Sequence, residues 1–199
     1  MICGILLAAG SAHRFGSHKL LHPLPDGSAI GVVSARNLRQ GVAQVLAVVR
    51  PDDHQLTALL RAEGIATVAC EHADRGISAS LITGVRTAPD ADGWLIMLAD
   101  MPWIRPHTIS SVAAMLENGA SLAAPCYAGR LGHPVGFARA HQADLLNLNG
   151  DRGARELLRK NSNRLQRFHC DDPAVLLDID RPEHVLVFPA EHFETKSFR

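Results

Sequence analysis

The chain has 199 residues, of which 47% are hydrophobic and 20% charged, and its 20 lysines and arginines balance 20 aspartates and glutamates. This composition suits an ordinary globular domain and excludes extended disorder, while a formal net charge of zero argues against broad electrostatic capture of nucleic acid or an anionic membrane. The apolar opening at residues 1–10 lacks a basic flank and is far shorter than the ~20 residues of a membrane span, so a buried strand and a cytoplasmic protein are expected.

Short apolar runs alternate with segments of helical period, the pattern produced when crossover helices link parallel strands. Strands are expected at Ile2–Ala8, Val45–Val49, Ile65–Ala69, Trp94–Leu98 and Leu122–Ala124. Between them, Ser28 is placed to cap a helix carrying Ile30, Val33 and Leu38 that Gly41 ends. Asp52 or Asp53 starts a second carrying Leu56, Leu59 and Leu60, ended by Gly64. Ser78 is read as the cap of a third, with Leu81, Ile82 and Val85 on one face. Pro106 opens a fourth that stops at Asn118-Gly119. The rhythm then changes: a hairpin is expected over Gly129–Phe137, helices around His141–Leu148 and Ala154–Lys160, and strands at Leu165–His169 and Val175–Ile179. Residues 1–190 are expected to form one α/β domain, and residues 191–199 a loose tail.

The segment Leu6-Leu7-Ala8-Ala9-Gly10, continuing to Arg14, Gly16 and Lys19, joins an apolar strand to a loop with two glycines and two permanent cations. Glycines let backbone N–H groups approach a phosphate, and Arg14 and Lys19 offer a forked and a point-like donor for charge-assisted bonds. The spacing is neither a Walker A loop nor Gly-x-Gly-x-x-Gly. Asp100, in Leu98-Ala99-Asp100-Met101-Pro102, follows an apolar strand at the end where open α/β sheets bind ligands, and it suits a magnesium ligand; a simple turn residue is the competing reading. Asp178 and Asp180 end another apolar run, and Asp180 is the better placed to complete a metal site, or else to cap a helix begun near Pro182. Cys3, Cys70, Cys126 and Cys170 contain no Cys-x-x-Cys pair, which points to reduced thiols rather than zinc or redox chemistry. The eleven histidines lack a His-Glu-x-x-His pattern, and most are expected at the surface.

Taken in order, Leu-Ala-Ala-Gly-x-x-x-Arg-Phe-Gly-x-x-Lys, Gly76-Ile77-Ser78-Ala79-Ser80-Leu81, Leu-Ala-Asp-Met-Pro, Gly132-His133-Pro134, Gly150 to Arg155 and Asp178-Ile179-Asp180-x-Pro-Glu resemble the molybdenum cofactor nucleotidyltransferase family from Ile2 to about Glu183. The resemblance implies a three-layer Rossmann-like fold with a mainly parallel central sheet. It implies nucleotide binding by Leu7, Ala8, Ala9, Gly10, Arg14, Lys19 and Ser80, with catalysis resting on Arg14, Lys19 and Asp100. Asp100 and Asp180 would hold Mg2+, and Gly132, His133, Pro134 and Asp151 would border the acceptor.

The implied reaction is transfer of CMP from CTP to a molybdopterin-type cofactor with release of pyrophosphate, the product passing to a molybdenum hydroxylase. Transfer of GMP from GTP is the nearest alternative. Ala9 argues for cytosine, because guanylyltransferases of the family resemble Leu-Ala-Gly-Gly at this stretch. A non-catalytic carrier or insertion chaperone is the reading from another class, and a joint triphosphate and metal grip by Arg14, Lys19 and Asp100 argues against it. No nucleic-acid or membrane partner is expected.

Overall fold

The computed structural model describes residues 1–10, 15, 18–150 and 153–186. In chain order the elements are β1 (Ile2–Leu7), α1 (Ile30–Gly41), β2 (Gln44–Val49), α2 (His54–Ala62), β3 (Ala66–Ala69), α3 (Ile77–Thr87), β4 (Gly93–Leu98), α4 (Pro106–Glu117), β5 (Leu122–Tyr127), β6 (Arg130–Leu131), β7 (Val135–Ala138), α5 (Gln142–Leu146), α6 (Arg155–Lys160) and β8 (Leu165–His169). They build one sheet in the order β3-β2-β1-β4-β7-β5-β6, with β8 paired to β5. The pairs β1–β2, β1–β4, β2–β3 and β5–β8 are parallel, whereas β7 runs antiparallel to both β4 and β5. The expected α/β architecture with a mainly parallel sheet is therefore present.

The strands read as continuous apolar runs because both faces of the sheet are covered. On one face Leu6, Ala47, Leu95 and Met97 pack with Ile30 and Leu38 of α1, Leu56 and Leu60 of α2, and Ile109, Val112 and Leu116 of α4. Their strand neighbours Ile5, Val48, Trp94 and Ile96 point the other way, onto Leu81 and Val85 of α3, Leu145 of α5 and Leu157 of α6. The four cysteines are free thiols, and burial pushes that of Cys3 up to about 11. Among the described residues no helix is long and apolar enough to cross a membrane.

Several local expectations are corrected. Asp53 does cap α2, accepting from the Leu56 N–H, but Ser28 and Ser78 cap nothing: α1 is preceded by Ala29 without a side-chain cap, and α3 by Gly76 at φ 98°. The hairpin is not Gly129–Phe137. Arg130 and Leu131 fold back on Tyr127 and Cys126, while Val135–Ala138 departs to insert between β4 and β5. Nor is Val175–Ile179 a strand. Asp172 and Pro173 open a 3-10 turn over Pro173–Leu176, and the backbone bonds that follow go to loops: the Val175 carbonyl accepts from His133 and the Ile179 N–H donates to the Asp100 carbonyl. Finally, His141 is buried against Ser121, with Nε2 2.8 Å from its Oγ, and the Nδ1 of His133 is buried too.

Candidate active site

Parallel pairing places Leu7 opposite Leu98, so the chain leaves β1 and β4 at the same edge of the sheet. Two further bonds extend the ladder past the strand ends, from Ala8 N–H to the Val48 carbonyl at 2.8 Å and from Ala99 N–H to the Leu7 carbonyl at 3.1 Å. Ala8 and Ala9 are thereby held inside, and Gly10 emerges into solvent. Among the described residues a β-carbon at Gly10 would meet nothing within 4 Å, and its φ lies outside the left-handed region. Packing against the described residues and a left-handed backbone therefore do not account for this glycine. What it provides is bare backbone at the sheet edge, the condition under which an anion can reach N–H groups.

Lys19 opens a 3-10 turn over Lys19–Leu21, and its backbone is fixed from both sides. The His22 N–H donates to its carbonyl at 3.1 Å. The preceding His18 sets Nε2 2.8 Å from Oδ2 of Asp53, whose other oxygen caps α2. From this mount the Lys19 ammonium donates to Oδ2 of Asp100 at 2.7 Å and lies 3.5 Å from Oδ1 of Asp180. The Asp178–Asp180 stretch is tied in by the Ile179–Asp100 backbone bond at 2.9 Å and by the Asp180 N–H donating to Nδ1 of His184 at 3.2 Å. One oxygen from each of Asp100, Asp178 and Asp180 lies within 4.8 Å of the others.

Burial pushes the Asp100 carboxyl above the usual carboxylate range, with Asp178 adding to the rise and Lys19 opposing it. Its Oδ1 is buried and has no hydrogen-bond partner among the described residues. Hard oxygen donors converging beside an orphaned acceptor fit a divalent cation of the magnesium class.

Gly132, His133 and Pro134 flank this cluster. Gly132 donates to the Pro125 carbonyl at 2.9 Å, His133 to the Val175 carbonyl at 2.9 Å, and a β-carbon at 132 would sit 2.3 Å from that same Val175 oxygen. Any side chain there would push away the turn that leads into Asp178–Asp180. Burial holds the His133 imidazole below its usual value, against the opposing pull of the Ile96 backbone and Asp100, and the Arg155 charge depresses it further. The ring is thus neutral near pH 7.

On the other sheet face, Ser80 is buried at the start of α3 with Oγ 4.0 Å from the Cys70 Sγ, and Ala9 packs in the apolar cluster that holds Cys70 and Leu81. Gly153 lies against this helix start, its β-carbon position 3.0 Å from Cγ2 of Ile77. Lys19, Asp100 and Asp180 are therefore directly assembled, with His133 inside the field of Asp100, while Ala9 and Ser80 share the α3 side. Arg14 and Asp151 lie outside the described residues.

The sequence model of the MobA-like NTP transferase domain matches residues 4–167. The chain belongs to this family. This MobA-like nucleotidyltransferase is 30% identical over 193 residues to the purine catabolism protein PucB of Bacillus subtilis strain 168, spanning 92% of this chain and 93% of the relative. Its fold superposes on Rv0371c from Mycobacterium tuberculosis H37Rv with a TM-score of 0.80 at 27% identity, covering 92% of this chain and 95% of that one. A manganese complex of Rv0371C from the same organism gives 0.77 at 26% identity, with the same coverage. That complex and the three-carboxylate cluster here agree in pointing to divalent-metal use.

Three residues stand in surroundings that the sequence reading did not give them. Asp178 joins the carboxylate cluster although Asp180 looked better placed; its acidity and its position two residues away were the available signal. Arg155 lies near enough to disfavour protonation of His133, and nothing local distinguishes it from the arginines around it. Ser78, expected to cap α3, instead carries a buried Oγ with no hydrogen-bond partner among the described residues.

Proposed function

We propose that this MobA-like nucleotidyltransferase transfers CMP from CTP to the phosphate of a molybdopterin-type cofactor and releases pyrophosphate. The observation that carries the reading is the convergence of Lys19 with Asp100, Asp178 and Asp180 at the edge where bare Gly10 leaves β1. The Ala8–Gly10 backbone, Lys19 and Arg14 grip the triphosphate. Asp100 and Asp180, aided by Asp178, hold Mg2+, which when bound neutralises charge on the phosphate oxygens. Gly132–Pro134 and Asp151 border the acceptor.

An acceptor phosphate oxygen attacks the α-phosphorus in line; the new P–O bond forms as the bond to the β-phosphate oxygen breaks and pyrophosphate departs with the electron pair. The acceptor is already ionised at neutral pH, so no general base is required, and neutral His133 is not needed as one. The protein's work is orientation and stabilisation of charge moving toward the leaving group.

Cytosine is preferred over guanine because the Ala9 methyl takes up room on the α3 side that a glycine would leave to a larger base. The name of the relative PucB, a purine catabolism protein, supports a setting in which the product serves a molybdenum hydroxylase acting on a purine ring. Purified protein, Mg2+ and molybdenum-loaded molybdopterin are mixed with each NTP in turn, and pyrophosphate release and product mass are followed. A higher kcat/KM for GTP than for CTP rejects the cytosine assignment, and no turnover with any NTP rejects the acceptor.

A further inference from the structure

We infer that Lys19 is the resident counter-ion of the carboxylate cluster and must be exchanged for the divalent cation, which makes metal and triphosphate bind as a coupled pair. This rests on the reading of Asp100, Asp178 and Asp180 as the metal site.

The ammonium of Lys19 sits 2.7 Å from Asp100 Oδ2 and 3.5 Å from Asp180 Oδ1, against two of the three carboxylates that converge. A magnesium-class ion would approach an oxygen of each of the same carboxylates to about 2.0–2.1 Å. Sharing these carboxylates, the two cations would draw on the same negative charge and repel one another at a few ångströms in a partly dehydrated setting, where charge interactions are least screened. One of them must move, and the ligands cannot easily do so. Asp100 is clamped by the Ile179 backbone bond, and the Asp178–Asp180 stretch by that bond and by His184.

The Lys19 backbone is equally fixed, between the His18–Asp53 pair and the 3-10 turn. Only its side chain, four methylenes with a point charge, is free to swing, and 14% of that side chain already reaches solvent. A lysine leaving the carboxylates needs another anion, and the triphosphate at the neighbouring Gly10 edge is the one the site is built to receive. Without nucleotide, an incoming metal strands the ammonium in water; without metal, a phosphate must be drawn toward carboxylates that still hold their lysine. Each ligand therefore lowers the cost of the other, and by linkage the coupling is the same in both directions.

Mn2+ binding to the whole chain is measured by electron paramagnetic resonance, with and without α,β-methylene CTP and, in parallel, the GTP analogue. Wild type is expected to bind Mn2+ weakly alone and more tightly with an analogue, by a factor in the range of about 5–150 typical of such couplings. Lys19→Met should bind Mn2+ alone about tenfold more tightly than wild type and lose most of the analogue's effect, and Lys19→Arg, which keeps the charge, should behave like wild type. Thermal melts confirm folding, and Lys19→Gln repeats the measurement if the methionine variant fails to fold. An unchanged or weaker Mn2+ affinity in both neutral variants, with Asp100→Asn still abolishing binding, overturns the exchange and leaves the metal site standing. If Lys19→Met with Asp100→Asn binds Mn2+ as well as Lys19→Met alone, the cluster is not the metal site and both readings fall.

Discussion

Gly10→Ala separates a glycine kept for a ligand from one kept for the fold. The new methyl meets no heavy atom of the described residues within 4 Å and the backbone is not left-handed there, so the fold around it accepts it without strain. Loss of chain freedom in the unfolded state should even stabilise the protein slightly, by about 0.4–1 kcal/mol at most. If the Gly10 backbone instead lies against a phosphate, the methyl holds the anion away from the N–H and forfeits one charge-assisted bond worth about 1.5–3 kcal/mol. That corresponds to roughly a 10- to 150-fold loss in kcat/KM. Thermal unfolding and steady-state pyrophosphate release from CTP, on the same preparation, check both halves. Gly84→Ala is the counterpart: its β-carbon would lie 2.6 Å from Cγ2 of Ile5 and 3.2 Å from Cγ2 of Val48. It should lose about 1–3 kcal/mol of stability through overpacking while the folded fraction keeps its activity. Wild-type turnover in Gly10→Ala, with its stability intact, would refute the phosphate contact.

Asp100→Asn should lower kcat/KM roughly a hundredfold or more, the scale of removing several kcal/mol of charge stabilisation, measured as pyrophosphate release across Mg2+ concentrations. In the ligand-free protein the same change should stabilise. Burial raises the Asp100 carboxyl above its ordinary value of 3.8, so its contribution is fully present below that value and is lost as pH rises through the folded value. The advantage of the asparagine in thermal melts should therefore grow over that window, and a constant difference would contradict it. Asp172→Ala should cost about 2–4 kcal/mol, since the buried carboxylate accepts from the Arg105 and Ala174 N–H groups and the Thr108 hydroxyl and their desolvation would go unmatched; denaturant melts measure it.

The parts of this protein legible in its sequence are those whose cause is local. Apolar runs such as Gly93–Leu98 and the stripes of α1 and α2 announce buried strands and amphipathic helices, because periodicity records which faces are covered. Asp53 caps α2 where its side chain is expected. Failures begin where the partner of a backbone group is distant. Val175–Ile179 has a strand's composition, yet the groups that would make a ladder are taken by His133 and Asp100, and no pattern within the segment encodes that. Val135–Ala138 looks like the second arm of a hairpin, but Gly93–Leu98 and Leu122–Tyr127 compete for it and win. The candidate site has the same division. Lys19 in a glycine-bearing loop and Asp100 at the end of an apolar run are each readable alone, but they are 81 residues apart. Their ion pair exists because β1 and β4 are parallel neighbours in register, a fact about strand order that alternation of elements does not fix. The exchange inferred for Lys19 belongs wholly to that second kind of information: sequence offers a lysine for phosphate and an aspartate for metal, and only the geometry puts the lysine where the metal must go.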